Sequence, residues 1–171
     1  MLNTILTRRS IRKFKSKPLK SEDLETILKA AMAAPTAGNS QIWEFIVIND
    51  RVLLNAVQTF HPYAQMVLQA PLAILVCANL KREKYKDRWP LDCAAASENI
   101  LLAAHSLELG AVWVGLYPDK KRMNEMTKLL GLPEYIKPVS LIPIGYADEM
   151  KPESNRYDRD KIHFNKFEDY K

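Results

Sequence analysis

Asp92-Cys93-Ala94-Ala95-Ala96-Ser97-Glu98-Asn99-Ile100-Leu101-Leu102-Ala103-Ala104-His105-Ser106-Leu107-Glu108-Leu109 carries more of the fold than any other stretch of the 171-residue chain. Its Ala, Ile and Leu residues spread round nearly the whole helical wheel, so the helix predicted over 92–109 needs cover on every side. A chain this short supplies that cover only with difficulty, and a second subunit is the natural supplement. Gly110 follows, where a C-terminal cap is expected.

Working outward, short apolar runs at Pro71–Ala78, Val112–Leu116 and Val139–Tyr146 read as strands, as does Trp43–Ile48. Ser21-Glu22-Asp23 is a helix start, with acids at the positive end of the dipole; Leu24, Ile27, Leu28 and Ala31 keep helical spacing until Pro35. Arg51–Gln58 and the run from Pro118-Asp119 to Gly131 are predicted helices. The polar tail from Lys151 keeps Tyr157, Ile162, Phe164 and Phe167, more large apolar groups than a purely floppy segment needs. The expected architecture is α+β: roughly four core strands flanked by helices, in one domain over 1–171.

Composition narrows the chemistry. Hydrophobic content of 47% and charged content of 26% are globular values, and the net charge of +5 is moderate. The basic residues of 81–88 alternate with acids, as a solvated face does, so neither nucleic acid nor a membrane is an expected partner. The N-terminus reaches Arg8 without an apolar core, which predicts no secretory leader and a cytoplasmic location. Cys77 and Cys93 sit in apolar surroundings and read as buried thiols. The glycines, at 38, 110, 115, 131 and 145, form neither a dinucleotide fingerprint nor a P-loop. His61, His105 and His163 are scattered, no metal-ligand spacing occurs, and no nucleophile elbow is present.

Two polar clusters remain. Arg8-Arg9-Ser10-Ile11-Arg12-Lys13-Phe14 concentrates fixed-geometry donors suited to a phosphate and a planar polar edge. Ala34-Pro35-Thr36-Ala37-Gly38-Asn39-Ser40-Gln41-Ile42-Trp43 places small residues, an Asn and a Gln between a helix and a strand. A chain rich in donors but without a nucleophile or base fits a protein whose cofactor carries the reaction.

With those residues in view, the chain resembles the FMN-dependent nitroreductase family. The two clusters are similar to its opening and second signatures. Asp92–Leu109 with Gly110-Ala111-Val112-Trp113-Val114-Gly115 resembles its central helix and flavin-flanking strand. Pro143-Ile144-Gly145-Tyr146 resembles its last core strand, and Asn155-Arg156 its C-terminal phosphate contact. The resemblance implies a central, mostly antiparallel sheet flanked by helices and an intertwined homodimer with composite sites. It implies that Arg8, Ser10 and Arg156 hold the FMN phosphate, with Arg9 beside them and Arg159 or Lys161 as alternatives to Arg156. Arg12 would approach the pyrimidine edge of the flavin. Pro35, Thr36, Ala37, Asn39 and Gln41 would come from the other subunit, and Val114 and Gly115 would pass the ring near N5. The implied activity is two-electron transfer from NAD(P)H through flavin to an electron-poor small molecule, a nitroaromatic or quinone. Flavin-dependent redox sensing and reductive dehalogenation are the alternatives.

Two departures stand out. Ile42 occupies a position where the family usually has Pro. Between Ala78 and Asp92 a short charged stretch with Trp89 replaces the larger members' insertion, and Trp89 is a candidate lid.

Overall fold

The computed structural model describes residues 2–167. Its elements are α1 (Leu2–Thr7), α2 (Ser21–Met32), β1 (Trp43–Ile48), α3 (Arg51–Phe60), β2 (Leu72–Asn79), α4 (Trp89–Ser106), β3 (Leu109–Ala111), β4 (Val114–Gly115), α5 (Lys120–Leu130) and β5 (Ile136–Tyr146). The sheet has five strands rather than the expected four or so, in the order β1-β2-β5-β3, with β4 also on β5. Every named pair is antiparallel.

β2 is buried along nearly its whole length, which explains its unbroken apolar sequence. Alternate residues feed opposite faces. Ile74 and Val76 meet α2 and α4 through Ile27, Ala31, Cys93, Ala96 and Ile100. Leu75 and Cys77 share the other cluster with Leu54 and Val57 of α3 and Met126 of α5. Asp50 caps α3 by accepting from the N–H groups of Val52 and Leu53, and Asp119 caps α5 through Arg122 N–H.

The central helix differs from its sequence reading at both ends. It begins at Trp89, with Pro90 in its first turn, and closes at Ser106. Leu107 N–H caps it onto Ala103 and Ala104, and Glu108 takes the left-handed conformation, φ +60°. Leu109 and Gly110 therefore belong to a strand, paired with Tyr146 and Gly145, and Gly110 is not the helix cap. The apolar pattern runs on because β3 is buried as well. Gly110 serves a close approach instead: a Cβ there would stand 2.6 Å from the Ile11 side chain.

The strand predicted over 112–116 is reduced to β4, two residues long. The register pairs Val112 with Pro143, whose ring nitrogen has no hydrogen to return. Only the long bond from Val112 N–H to Pro143 O, 3.4 Å, forms there.

Much of α4 is covered by its own chain. Asp92, Cys93, Ala96, Ser97, Ile100, Leu101 and Ala104 are buried, whereas Leu91 is 63% exposed and Ala94, Ala95, Glu98 and Leu102 are only half-buried. This single chain thus leaves one stripe of the helix partly open. Tyr157, Phe164 and Phe167 of the tail also stand out in solvent. Residues 168–171 of that predicted tail lie outside the described residues.

Candidate flavin-binding cleft

The strand formed by β3 and β4 has one edge on β5 and one edge free of it. Its register makes residue pairs Leu109–Tyr146 through Gly115–Ser140 follow one alternation. Leu116 N–H bonds Val139 O at 3.0 Å, and Val112 N–H bonds Pro143 O. In an antiparallel ladder, bonded and non-bonded pairs alternate, so 112, 114 and 116 turn their peptide groups toward β5. Residues 111, 113 and 115 turn theirs outward.

The N-terminal signature occupies the first part of that outer edge. Ser10 bridges Ala111 in parallel, and Ile11 N–H bonds Ala111 O at 3.0 Å. The chain then continues to Arg12, which faces a cleft of about 930 Å³ beside the rest of the edge. Val112 to Gly115 form part of its lining, as do His61, Tyr63, Gln65 and Arg122. The size falls within the range of cofactor pockets, roughly 300–1,000 Å³.

Electrostatically the cleft is basic. Arg12, Lys13, Arg122 and Lys151 line it against one carboxylate, Glu149. Glu149 Oε1 accepts from Arg12 N–H at 2.5 Å and lies 3.6 Å from Lys151 Nζ. Arg12 is therefore anchored by its backbone, and its guanidinium makes no ion pair or hydrogen bond with the described residues. A positive wall with an outward Gly115 N–H suits an anionic or electron-accepting planar ring.

The Arg12 N–H bond, then the Lys151 charge, hold the Glu149 carboxyl below the ordinary carboxylate range against a smaller opposing effect of burial. A folded-state pKa below the unfolded one stabilises the protein above the unfolded value, and that contribution is lost as pH falls through the folded one. Urea midpoints of wild type and Glu149→Gln should differ near neutrality and converge in acid. Parallel curves across that range would remove Glu149 from this role.

The other arginines of the first signature are differently engaged. Arg8 Nε lies 3.4 Å from Glu98 Oε1 on α4. Arg9 ties the N-terminal stretch to the tail, donating to the carbonyls of Leu6, Arg8 and Pro152. Its Nη2 is buried with no hydrogen-bond partner among the described residues. Arg156 is exposed and lines none of this cleft, and Lys161 pairs with Asp158 at 3.0 Å.

The second signature lies elsewhere in the chain. Pro35 and Thr36 lead into a tight turn at Ala37–Asn39, in which Gly38, Asn39 and Gln41 have φ of +57°, +50° and +47°. Thr36 Oγ1 accepts from Gln41 N–H, and buried Asp92 accepts from Ala37 N–H at 3.0 Å. Asp92 is a supporting residue that the sequence reading passed over; an acid in the first turn of an apolar helix was its only local signal. The charged stretch closes on the same turn: Lys84 donates to Gly38 O, Arg82 to Gln41 O, and the Tyr85 ring covers Gly38. Its residues stay largely exposed, as the alternating charges of a solvated face predict. Ile42, which replaces the family's Pro, is buried in the core. Trp89 packs edge-on against Tyr117, 4.8 Å between ring centres, and lines a separate groove.

None of Pro35–Gln41 lines the cleft that Arg12 faces. The turn is bound at Asp92, whereas Arg8 meets Glu98 and Thr7 Oγ1 pairs with His105 Nε2 at 2.8 Å. The interval from 92 to 105 spans ~20 Å of helix at 1.5 Å per residue. Thr7, just ahead of the first signature, thus stands that far along α4 from the anchor of the second, while Arg8 at Glu98 stands about 9 Å from it.

An antiparallel sheet with helices on both faces and a basic cleft at one strand edge make this an α+β protein with a candidate cofactor cleft. The sequence profile of the Nitroreductase family matches residues 5–65 and 56–146, and the chain belongs to that family. An Archaeoglobus fulgidus protein provisionally named NADH dehydrogenase/NAD(P)H nitroreductase is 46% identical over 97% of this chain and 98% of its own. A solved Parabacteroides distasonis structure with the same provisional name superposes with TM-score 0.94 at 40% identity, covering 97% and 98% of the two chains. An FMN-dependent nitroreductase from Clostridium difficile R20291 gives 0.91 at 33% identity, covering 98% and 100%. No helix among the described residues is long and apolar enough to cross a membrane.

Proposed function

We propose that this nitroreductase-family chain is an FMN-dependent NAD(P)H oxidoreductase that works in ping-pong order on an electron-poor small molecule such as a nitroaromatic or quinone. One observation carries the reading: the outer edge of β3–β4 turns the Gly115 N–H into a basic cleft beside an Arg12 guanidinium with no ion pair among the described residues. FMN, when bound, supplies the chemistry, taking hydride from NAD(P)H and passing two electrons onward. The residues of this chain bind and polarise. Arg12 places fixed positive charge where a reduced ring is negative, and Gly115 N–H offers a donor on the same wall. Arg8, Ser10 and Arg156 are assigned to the phosphate, with Arg9 bracing that strand against Pro152.

The site is completed by a second copy. Two α4 helices packed antiparallel by their open stripes bring the Asp92 end of one against the Glu98–His105 end of the other. Pro35, Thr36, Ala37, Asn39 and Gln41 of one chain then reach the cleft of its mate. Cys77 and Cys93 are both unpaired and buried, and burial pushes the Cys77 thiol up to about 12. Inert reduced thiols suit a cytoplasmic protein.

The purified protein should be yellow, bleach anaerobically with NADH or NADPH, and release FMN on denaturation. Release of FAD, or failure to take up flavin on reconstitution, sinks the proposal. Within it, Arg12→Ala should slow flavin reduction by about tenfold and lower the flavin potential more than it weakens FMN retention. Arg8→Ala should chiefly weaken retention. Equal effects of the two changes on potential and affinity would show the division between ring and phosphate to be wrong.

A further inference from the structure

His61 is one of the cleft residues that lie outside every signature. It follows α3, is 2% exposed, and still lines the cleft. Its backbone is fixed on both sides: its N–H bonds Val57 O at 3.1 Å, and its carbonyl accepts from Ala64 N–H at 2.9 Å. The ring meets Tyr63 edge-on, 6.4 Å between centres. Its Nε2 lies 2.9 Å from Gly115 O.

A carbonyl only accepts, so Nε2 carries the hydrogen and donates it. In the neutral ring Nδ1 is then a bare acceptor, and it is buried with no hydrogen-bond partner among the described residues. An apolar side chain would fill this place without an orphaned nitrogen, so packing alone does not account for an imidazole here. What the ring does hold is the one outward carbonyl of β4. That strand is only two residues long, its neighbouring pair is weakened at Pro143, and Gly115 has no side chain to fix its dihedral angles. In a pleated strand the N–H and C=O of one residue point the same way, so fixing the Gly115 carbonyl also fixes the direction of the Gly115 N–H.

We propose that His61 is a positioning residue for the redox site, its Nε2–H···O=C bond to Gly115 holding the Gly115 N–H toward the cofactor in the cleft. The proposal rests on the flavin reading above and adds to it a residue, a tautomer and a direction of action. Leucine at this position keeps the burial and loses the donor. Glutamine loses the ring and keeps a terminal N–H₂ at a similar reach.

The test compares His61→Leu and His61→Gln with wild type, each reconstituted with FMN, by flavin content, midpoint potential and the single-turnover rate of reduction at saturating NADH or NADPH. His61→Leu is expected to bind FMN and to shift the potential, with the reduction rate down by at least about tenfold, the scale of a misdirected site group. His61→Gln should recover most of that rate. Wild-type rate and potential in His61→Leu overturn the proposal, as do equal losses in both variants. A second measurement is independent of flavin and of how well the variants fold. Nitrogen NMR of the wild-type apoprotein should show His61 protonated at Nε2 and bare at Nδ1; the opposite tautomer overturns the assignment. Wild type that takes up no FMN marks failure of the flavin reading, whereas flavin-loaded protein indifferent to His61→Leu marks failure of this proposal alone.

Discussion

Homodimers of Arg8→Ala and of Asn39→Ala are each expected to lose FMN, while a mixed dimer of the two chains recovers a working site. The expectation follows from where one chain keeps its two signatures. Asn39 sits in a turn anchored at Asp92, and Arg8 meets Glu98 further along α4. A composite site takes Arg8 from one subunit and Asn39 from the other. In the mixed dimer one site collects both lesions and the other collects neither. Removing the Arg8 partner of a bound phosphate should cost about 2–5 kcal/mol, enough to empty a site at ordinary flavin concentrations. Asn39→Ala adds backbone strain to a lost contact, because Ala tolerates the φ of +50° less well than Asn does. The measurement is flavin content and turnover of tagged, separately purified heterodimers, with about half of the two-fold-related sites filled. Mixed dimers no better than their parents would place both residues in one chain's site, and a fully active monomer by sedimentation would remove the composite site altogether.

The second large effect is expected at Asp92. This carboxylate is 7% exposed, accepts from Ala37 N–H at 3.0 Å and lies 3.5 Å from Ser40 Oγ. It restrains a turn in which Asn39 and Gln41 hold left-handed dihedral angles, a conformation costing roughly 1–2 kcal/mol for a residue with a Cβ. Asp92→Ala orphans the Ala37 N–H, a loss of about 1–3 kcal/mol that relaxation of the strained turn partly offsets. At 2–4 °C per kcal/mol for a chain of this size, Tm should fall by up to roughly 12 °C. Flavin retention should fall further than stability does, since the relaxed turn no longer presents Pro35–Gln41 to the partner's cleft. Asp92→Asn keeps an acceptor and should restore most of both. Native Tm together with full flavin content in Asp92→Ala would show that the turn holds itself.

Some of this was legible along the chain because its cause is local. β1 has the bounds its apolar run predicts, Trp43–Ile48, and α5 starts behind Asp119 and stops at Gly131. Capping groups and hydrophobic periods act within a few residues, so the sequence alone specifies them. The family's signatures are equally local, being runs of donors and small residues in fixed order.

The tertiary structure decided what depends on pairing across the chain. Leu109 and Gly110 extend the helical pattern of α4 on paper, but the free edge of β5 draws them into β3. Which peptide groups of 111–115 face the cleft follows from register with a strand some 25 residues later, and no periodicity in 111–115 encodes it. His61 looked like one of three scattered histidines until Gly115 O was found 2.9 Å from it, across 54 residues of sequence. The sequence by itself determined the locally capped elements, the family and the basic signature. Hydrogen-bond direction and long-range burial determined the site, because both are properties of neighbours that only folding brings together.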